Sequence, residues 1–266
     1  MQKFGIDISK FQGSYNITQA KAEGVEFCIC RIGGADDKNV GKYKDSQFEN
    51  NYNKCKVNNV PIGCYYLFNA YNEAQAVDEA EHFLSLMKGK QFEYPVALDI
   101  EGAVLNQPAD QLCKNIDICA KTIEAAGYYV VLYMSASPYK SKCKSLKQYD
   151  TWIASYTRLK PVGIPIGIWQ FGGSVNYQRS NTVAGQVTDQ NYAYKDYEKI
   201  IKNANLNGFD KPEEKTCKDC FYSELVYRPD GKPTDQYVCC WNLAQARHGV
   251  VDVSPSGCCN DWSAKK

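Results

Sequence analysis

Short apolar runs alternate with longer stretches of helical spacing through roughly the first two hundred residues. Residues 3–8, 27–32, 62–68, 96–101 and 129–134 have the length and the β-branched or aromatic content of buried strands. Between them, residues 73–87 and 110–126 repeat apolar positions at three- and four-residue steps, which predicts helices, the second closing at Gly127. Parallel strands joined by crossover helices produce this rhythm. It then changes: residues 151–156, 167–171 and 185–191 read as three more strands, but Pro161, Pro165 and several glycines fill the connections where helices would be expected. Residues 194–202 form a last helical stretch. Eight strands with helices mainly after the first five predict a modified (β/α) barrel of the α/β class, with an open doubly wound sheet as the alternative.

The pattern stops near residue 205 in a polar stretch broken by Gly208 and Pro212. We read residues 1–204 as one domain, 205–216 as a linker and 217–266 as a small second domain. Six of the thirteen cysteines fall in that last segment: Cys217, Cys220, Cys239, Cys240, Cys258 and Cys259. About fifty residues bury too little for an unaided core, so covalent or metal staples are expected. A C-x-x-C followed by two Cys-Cys doublets suits a structural zinc site, the reading preferred, with three disulfides in one of fifteen pairings as the alternative.

Composition narrows the function. Net charge is only +1, so nothing marks a nucleic-acid or anionic-membrane partner. No apolar run reaches the roughly 18–20 residues of a bilayer span, and the first residues lack the apolar core of a signal peptide. The expectation is synthesis in a cytosol. Twenty tyrosines supply flat apolar faces with polar edges, which suits sugar rings. With only His82 and His248, and no H-x-x-x-H spacing, a catalytic zinc is not expected.

The chemistry is concentrated in Pro95-Val96-Ala97-Leu98-Asp99-Ile100-Glu101-Gly102. Alternation along a strand turns Asp99 and Glu101 to one face and Ile100 to the other. Asp7, in Gly5-Ile6-Asp7-Ile8-Ser9, and Asp189, in Val187-Thr188-Asp189-Gln190-Asn191, also stand at or near predicted C-terminal strand ends, where such barrels carry their sites. Paired carboxyls of this kind serve glycoside hydrolysis, one as general acid and one charged. The longer arm of Glu101, its acidity weakened by neighbouring negative charge, makes it the candidate acid, with Asp99 as partner. Cα atoms two apart on a strand lie roughly 6.5–7 Å apart, between the separations for retention and inversion, so the stereochemical course stays open.

These segments, with Phe27 to Gly33, Pro61 to Tyr66, Leu132-Tyr133, Trp152 to Tyr156 and Ile168 to Phe171, resemble in order and spacing the glycoside hydrolase family 25 lysozymes, the N-acetylmuramidases of phage endolysins and bacterial autolysins. The resemblance spans residues 3–202 and leaves out the Cys-rich tail. It implies a modified barrel that cleaves the β-1,4 bond between N-acetylmuramic acid and N-acetylglucosamine in bacterial peptidoglycan, with retention and no catalytic cofactor. The family's acidic cluster falls on Asp7, Asp99, Glu101 and Asp189. Asp99 would either attack or orient the substrate's N-acetyl group. Phe171 stands where the family often has tyrosine, and Thr188 and Gln190 where apolar residues are commoner.

Tyr65, Tyr66, Tyr133, Tyr156 and Gln170 are candidates for the sugar groove, with only one of the adjacent Tyr65 and Tyr66 expected to face it. Arg31 could meet a muramic lactyl or peptide carboxylate, or form a structural ion pair. The tail is read as a wall-binding or oligomerising module, concentrating the enzyme on the cell wall after release. Rival readings are a non-hydrolytic glycan-binding protein and a hydrolase of chitin-like polymers.

Overall fold

The structure, a computed structural model, describes residues 2–36 and 41–209 and, beyond them, two strands at 223–227 and 233–239. The chain divides into two compact units, Met1–Phe209 and Asp210–Lys266.

In the first unit, strands β1 (Lys3–Ile8), β2 (Phe27–Ala35), β4 (Ile62–Leu67), β5 (Val96–Asp99), β6 (Val130–Ser135), β7 (Asp150–Ala154) and β8 (Ile168–Gly172) follow one another in parallel. Strand β11 (Asp189–Ala193) closes the barrel between β8 and β1, antiparallel to both. A short strand β3 (Lys42–Lys44) adds to β2 alone, and β9 (Thr182–Val183) pairs with β10 (Gln186–Val187) as a small hairpin before β11. The modified barrel is therefore present, and the open sheet is excluded by the β1–β2 pairing.

Helices follow the early strands: α1 (Ile17–Ala22), α2 (Phe48–Val57), α3 (Glu73–Met87) and α4 (Ala109–Ala125). After β6 come only a single turn, α5 (Ala136–Pro138), and a five-residue π turn at Tyr139–Cys143; α6 (Tyr197–Asn203) follows the last barrel strand. The Asn72 side chain caps α3 by accepting from the Gln75 amide, and Ala76, Ala80, Phe83 and Met87 make its buried stripe. Two apolar layers result from strand alternation. Ile29, Ala97, Val131, Trp152 and Ile168 fill the barrel interior, while Ile62, Leu98, Leu132 and Ile153 point outward into the layer shared with the helices.

Two departures from the expected strands bear on the site. Strand β5 stops at Asp99 rather than at Glu101: Ile100 donates its amide to the Tyr133 carbonyl, Glu101 remains extended, and Gly102 at φ +69° turns the chain away. That φ is open to glycine without steric cost. The segment expected as one strand over 185–191 breaks at Thr188, whose hydroxyl hydrogen-bonds the Gln186 carbonyl and the Tyr15 hydroxyl. Asp189 therefore begins β11 instead of ending a strand. Because β11 runs antiparallel, its first residue lies at the same mouth as the C-terminal ends of the other strands, directly opposite Asp7 in the β1–β11 register.

Among the described residues of the second unit, β12 (Ser223–Tyr227) and β13 (Pro233–Cys239) pair antiparallel. The proposed tail ligands Cys217, Cys220, Cys240, Cys258 and Cys259, and the side chain of Cys239, lie outside the described residues.

Candidate active site

Eight of the ten candidates in the barrel meet around one cavity of about 180 Å³ at this mouth. Strand alternation delivers them: Asp7 from β1, Tyr65 from β4, Asp99 from β5, Tyr133 from β6 and Gln170 from β8, with Glu101, Tyr156 and Asp189 on the adjoining ends. Asp7 and Asp99 are 6% and 5% exposed, whereas Glu101 stands exposed at the rim.

Asp7 is held from two sides. Its Oδ2 accepts 2.9 Å from Gln170 Nε2 and 2.7 Å from Asn191 Nδ2. Each amide is oriented in turn. Trp152 Nε1 donates 2.7 Å to Asn191 Oδ1, while the hydroxyls of Tyr133 and Tyr156 donate to Gln170 Oε1 at 2.9 and 3.0 Å. Fixing the two amide oxygens as acceptors leaves both NH₂ groups to face the carboxylate.

Sequence reasoning missed Asn191 and Trp152 as site residues. Both signals were available: Asn191 lies two beyond Asp189 on a strand, and Trp152 lies two before Ala154 on the inward face of β7. Trp152 also meets the ring of Tyr133 edge-on, centroids 4.6 Å apart.

Two candidates do not line the cavity. Tyr66 points outward from β4, fully buried, stacked on Phe83 and hydrogen-bonded to His82 Nδ1 at 3.0 Å. It belongs to the layer under α3, as the alternation with Tyr65 requires. Arg31 forms the structural ion pair, its Nε 2.8 Å from Asp45 Oδ2. Asp45 is fixed by the backbone amides of Lys10 and Gln47, and the guanidinium lies 4.9 Å from the Phe11 ring centroid. Arg31 Nη2 and Asp99 Oδ1 are both buried without a hydrogen-bond partner among the described residues.

Four carboxyls around one cavity cannot all ionise cheaply. Burial, then the charge of Asp189, pushes Asp7 up to about 8 despite its two amide donors. Burial with Glu101 nearby brings Asp189 to about 6. Asp99 is raised well above the ordinary range by burial and by Glu101 and Asp7, and Glu101 is raised by burial; the Arg31 charge opposes both shifts. The buried phenols of Tyr65 and Tyr133 are held neutral and remain hydrogen-bond donors. The cluster thus retains protons where isolated carboxyls would have lost them, and proton donation next to a charged carboxylate is within its reach.

A closed barrel with its carboxyls gathered at the C-terminal mouth is an arrangement that serves glycoside hydrolysis. The chain belongs to glycosyl hydrolases family 25, whose model matches residues 6–180. Its fold is that of the spore cortex lytic enzyme SleM of Clostridium perfringens (TM-score 0.63, 21% identity, covering 72% of this chain and 67% of that one). A bacterial lysozyme from Streptomyces coelicolor is similar (TM-score 0.61, 22% identity, 78% and 98% covered), as is the CTP1L endolysin (TM-score 0.60, 23% identity, 76% and 70% covered). No curated protein matches the chain by sequence.

Proposed function

We propose that this glycoside hydrolase cleaves peptidoglycan at the β-1,4 bond between N-acetylmuramic acid and N-acetylglucosamine, with Glu101 as general acid. Support comes from the membership of family 25 and from structural neighbours described as a lysozyme and a muramidase. The observation that carries the assignment of Glu101 is the contrast in depth. Asp7 and Asp99 lie under the cavity, whereas Glu101 stands at its open edge on an extended backbone, with its acidity weakened.

Protonation of the departing oxygen by Glu101 leaves an oxocarbenium-like centre over Asp99. As the bond breaks, the Arg31 guanidinium offsets the negative charge arriving on Glu101, and Asp99, entering the step as the charged carboxylate, stabilises the positive charge on the sugar without giving up a proton. Asp99 then acts either as nucleophile or as acceptor for the substrate's acetamido N–H, which holds that group's oxygen toward the anomeric carbon; in either course water then displaces that oxygen from the anomeric carbon, giving its proton to the Glu101 carboxylate. Asp7 and Asp189 tune the cluster and bind sugar hydroxyls. Tyr65, Tyr133 and Tyr156 border the sugar, and the tail of residues 217–266 tethers the enzyme to the wall.

Digestion of peptidoglycan and of chitin oligosaccharides, followed by borohydride reduction and mass spectrometry of the new ends, tests the reading. Reduced muramic acid ends are expected. N-acetylglucosamine ends from chitin alone would favour the chitin-type hydrolase, and binding without new ends would favour a non-hydrolytic glycan-binding protein.

A further inference from the structure

The outer face of the barrel, away from the active site, brings three thiols together. Cys28 and Cys30 stand two apart on β2 and share its outward side, and Cys55 reaches them from the last turns of α2. All three are fully buried and free of disulfides. Their Sγ atoms lie within 4.8 Å of one another, those of Cys28 and Cys30 only 3.6 Å apart.

A buried cysteine ordinarily packs as a small hydrophobe and needs no further account. Three sulfurs converging from two different elements form something more particular, a small triangle of soft donors. With a metal–sulfur bond of about 2.3 Å, an ion at the centre of such a triangle requires edges of about 4 Å. One edge is 3.6 Å and none exceeds 4.8 Å, a spacing compatible with that value.

We propose that Cys28, Cys30 and Cys55 form a three-coordinate site for copper(I) between β2 and α2. Zinc fits less well. It takes four ligands in structural sites, and among the described residues the cluster offers only these three cysteines. Soft thiolates select copper(I), which accepts three of them and needs no water in an apolar layer. Each thiol that ligates as thiolate releases its proton to water, and no electron moves because copper binds and remains as Cu(I).

The site ties a barrel strand to the helix that covers it, so the ion should stabilise the folded chain by mass action. With the sulfurs inaccessible to solvent, loading requires local opening around the end of α2 and should be slow on the native protein or accompany refolding.

The test loads reduced full-length protein with Cu(I) under anaerobic conditions against a competing chelator, then counts retained copper and records Tm. Wild type should retain one more copper per chain than Cys55→Ala or Cys28→Ala, and its copper-dependent rise in Tm should vanish in both. Cys119→Ala, another buried cysteine outside the trio, should match wild type. The tail cysteines are identical in all four proteins, so their copper cancels in the differences. Equal counts in all four would overturn the proposal.

If either trio variant fails to fold, wild type alone decides. Slow native-state alkylation, read by peptide mapping, should be retarded by Cu(I) at Cys28, Cys30 and Cys55 relative to Cys119. Equal labelling with and without Cu(I) would overturn the site.

Discussion

Replacing Gln170 by methionine probes how the active site holds Asp7. The side chain is 2% exposed and serves three partners, donating to Asp7 and accepting from Tyr133 and Tyr156. Methionine keeps nearly the same volume and removes all three bonds. Tyr156, at 41% exposed, recovers water, so its loss should be small. Asp7 and Tyr133 are deep enough that each lost bond should cost about 1–2 kcal/mol. The expected total is about 2–4 kcal/mol, a fall in Tm of roughly 5–15 °C for a domain of this size.

The pairwise share can be isolated. In a double-mutant cycle with Tyr133→Phe, measured by urea unfolding, the coupling between Tyr133 and Gln170 should be about 1 kcal/mol. A coupling below about 0.3 kcal/mol, within ordinary additivity, would refute the reasoning that Gln170 is fixed through its oxygen by the phenol.

Acidity gives a second prediction. Asp7 and Asp189 are raised to about 8 and about 6, so between roughly pH 4 and pH 8 the folded chain holds protons that the unfolded chain has released. Their contribution to stability is therefore full below about pH 4 and is lost as pH rises toward 8. Asp7→Asn should flatten that decline and stabilise the protein by about 1–3 kcal/mol at pH 8 in denaturant titrations, and an unchanged slope would contradict it. Gly173→Ala should impair hydrolysis well beyond any change in Tm, because a Cβ at Gly173 would collide with Asp189 Oδ1; normal kcat/KM would count against Asp189 as a site residue. Tyr66→Phe should cost about 1 kcal/mol through the lost His82 bond while leaving kcat/KM within twofold, since Tyr66 faces the helical layer, and a large kinetic effect would contradict that placement.

Period-two alternation made much of the site legible before the structure: it turned Asp99 and Glu101 to one face and allowed only one of Tyr65 and Tyr66 to line the site, while Asp7 was marked by its place near a strand's end. It could not supply direction, because alternation is the same for a parallel and an antiparallel strand. The pattern therefore reads Asp189 as a strand's end when it begins β11, and carries no sign of the antiparallel closure of the barrel. The break at Thr188 depends on Tyr15, more than 170 residues away, which no local pattern reports. Trp152 and Asn191 read as ordinary core because their importance lies in hydrogen bonds between strands β7 and β11 that only closure of the barrel brings together. Arg31 had two readings, and the choice fell to Asp45, a residue with no apolar pattern around it to mark its place.

The most direct test compares Glu101→Gln with wild type on purified peptidoglycan, counting borohydride-reducible muramic acid ends released per minute at matched Tm. Loss of a positioned general acid should lower the rate by roughly 10²–10⁴ while the exposed position of Glu101 keeps the fold intact. A variant that folds normally and releases muramic acid ends within tenfold of wild type would contradict the assignment of Glu101 as the acid.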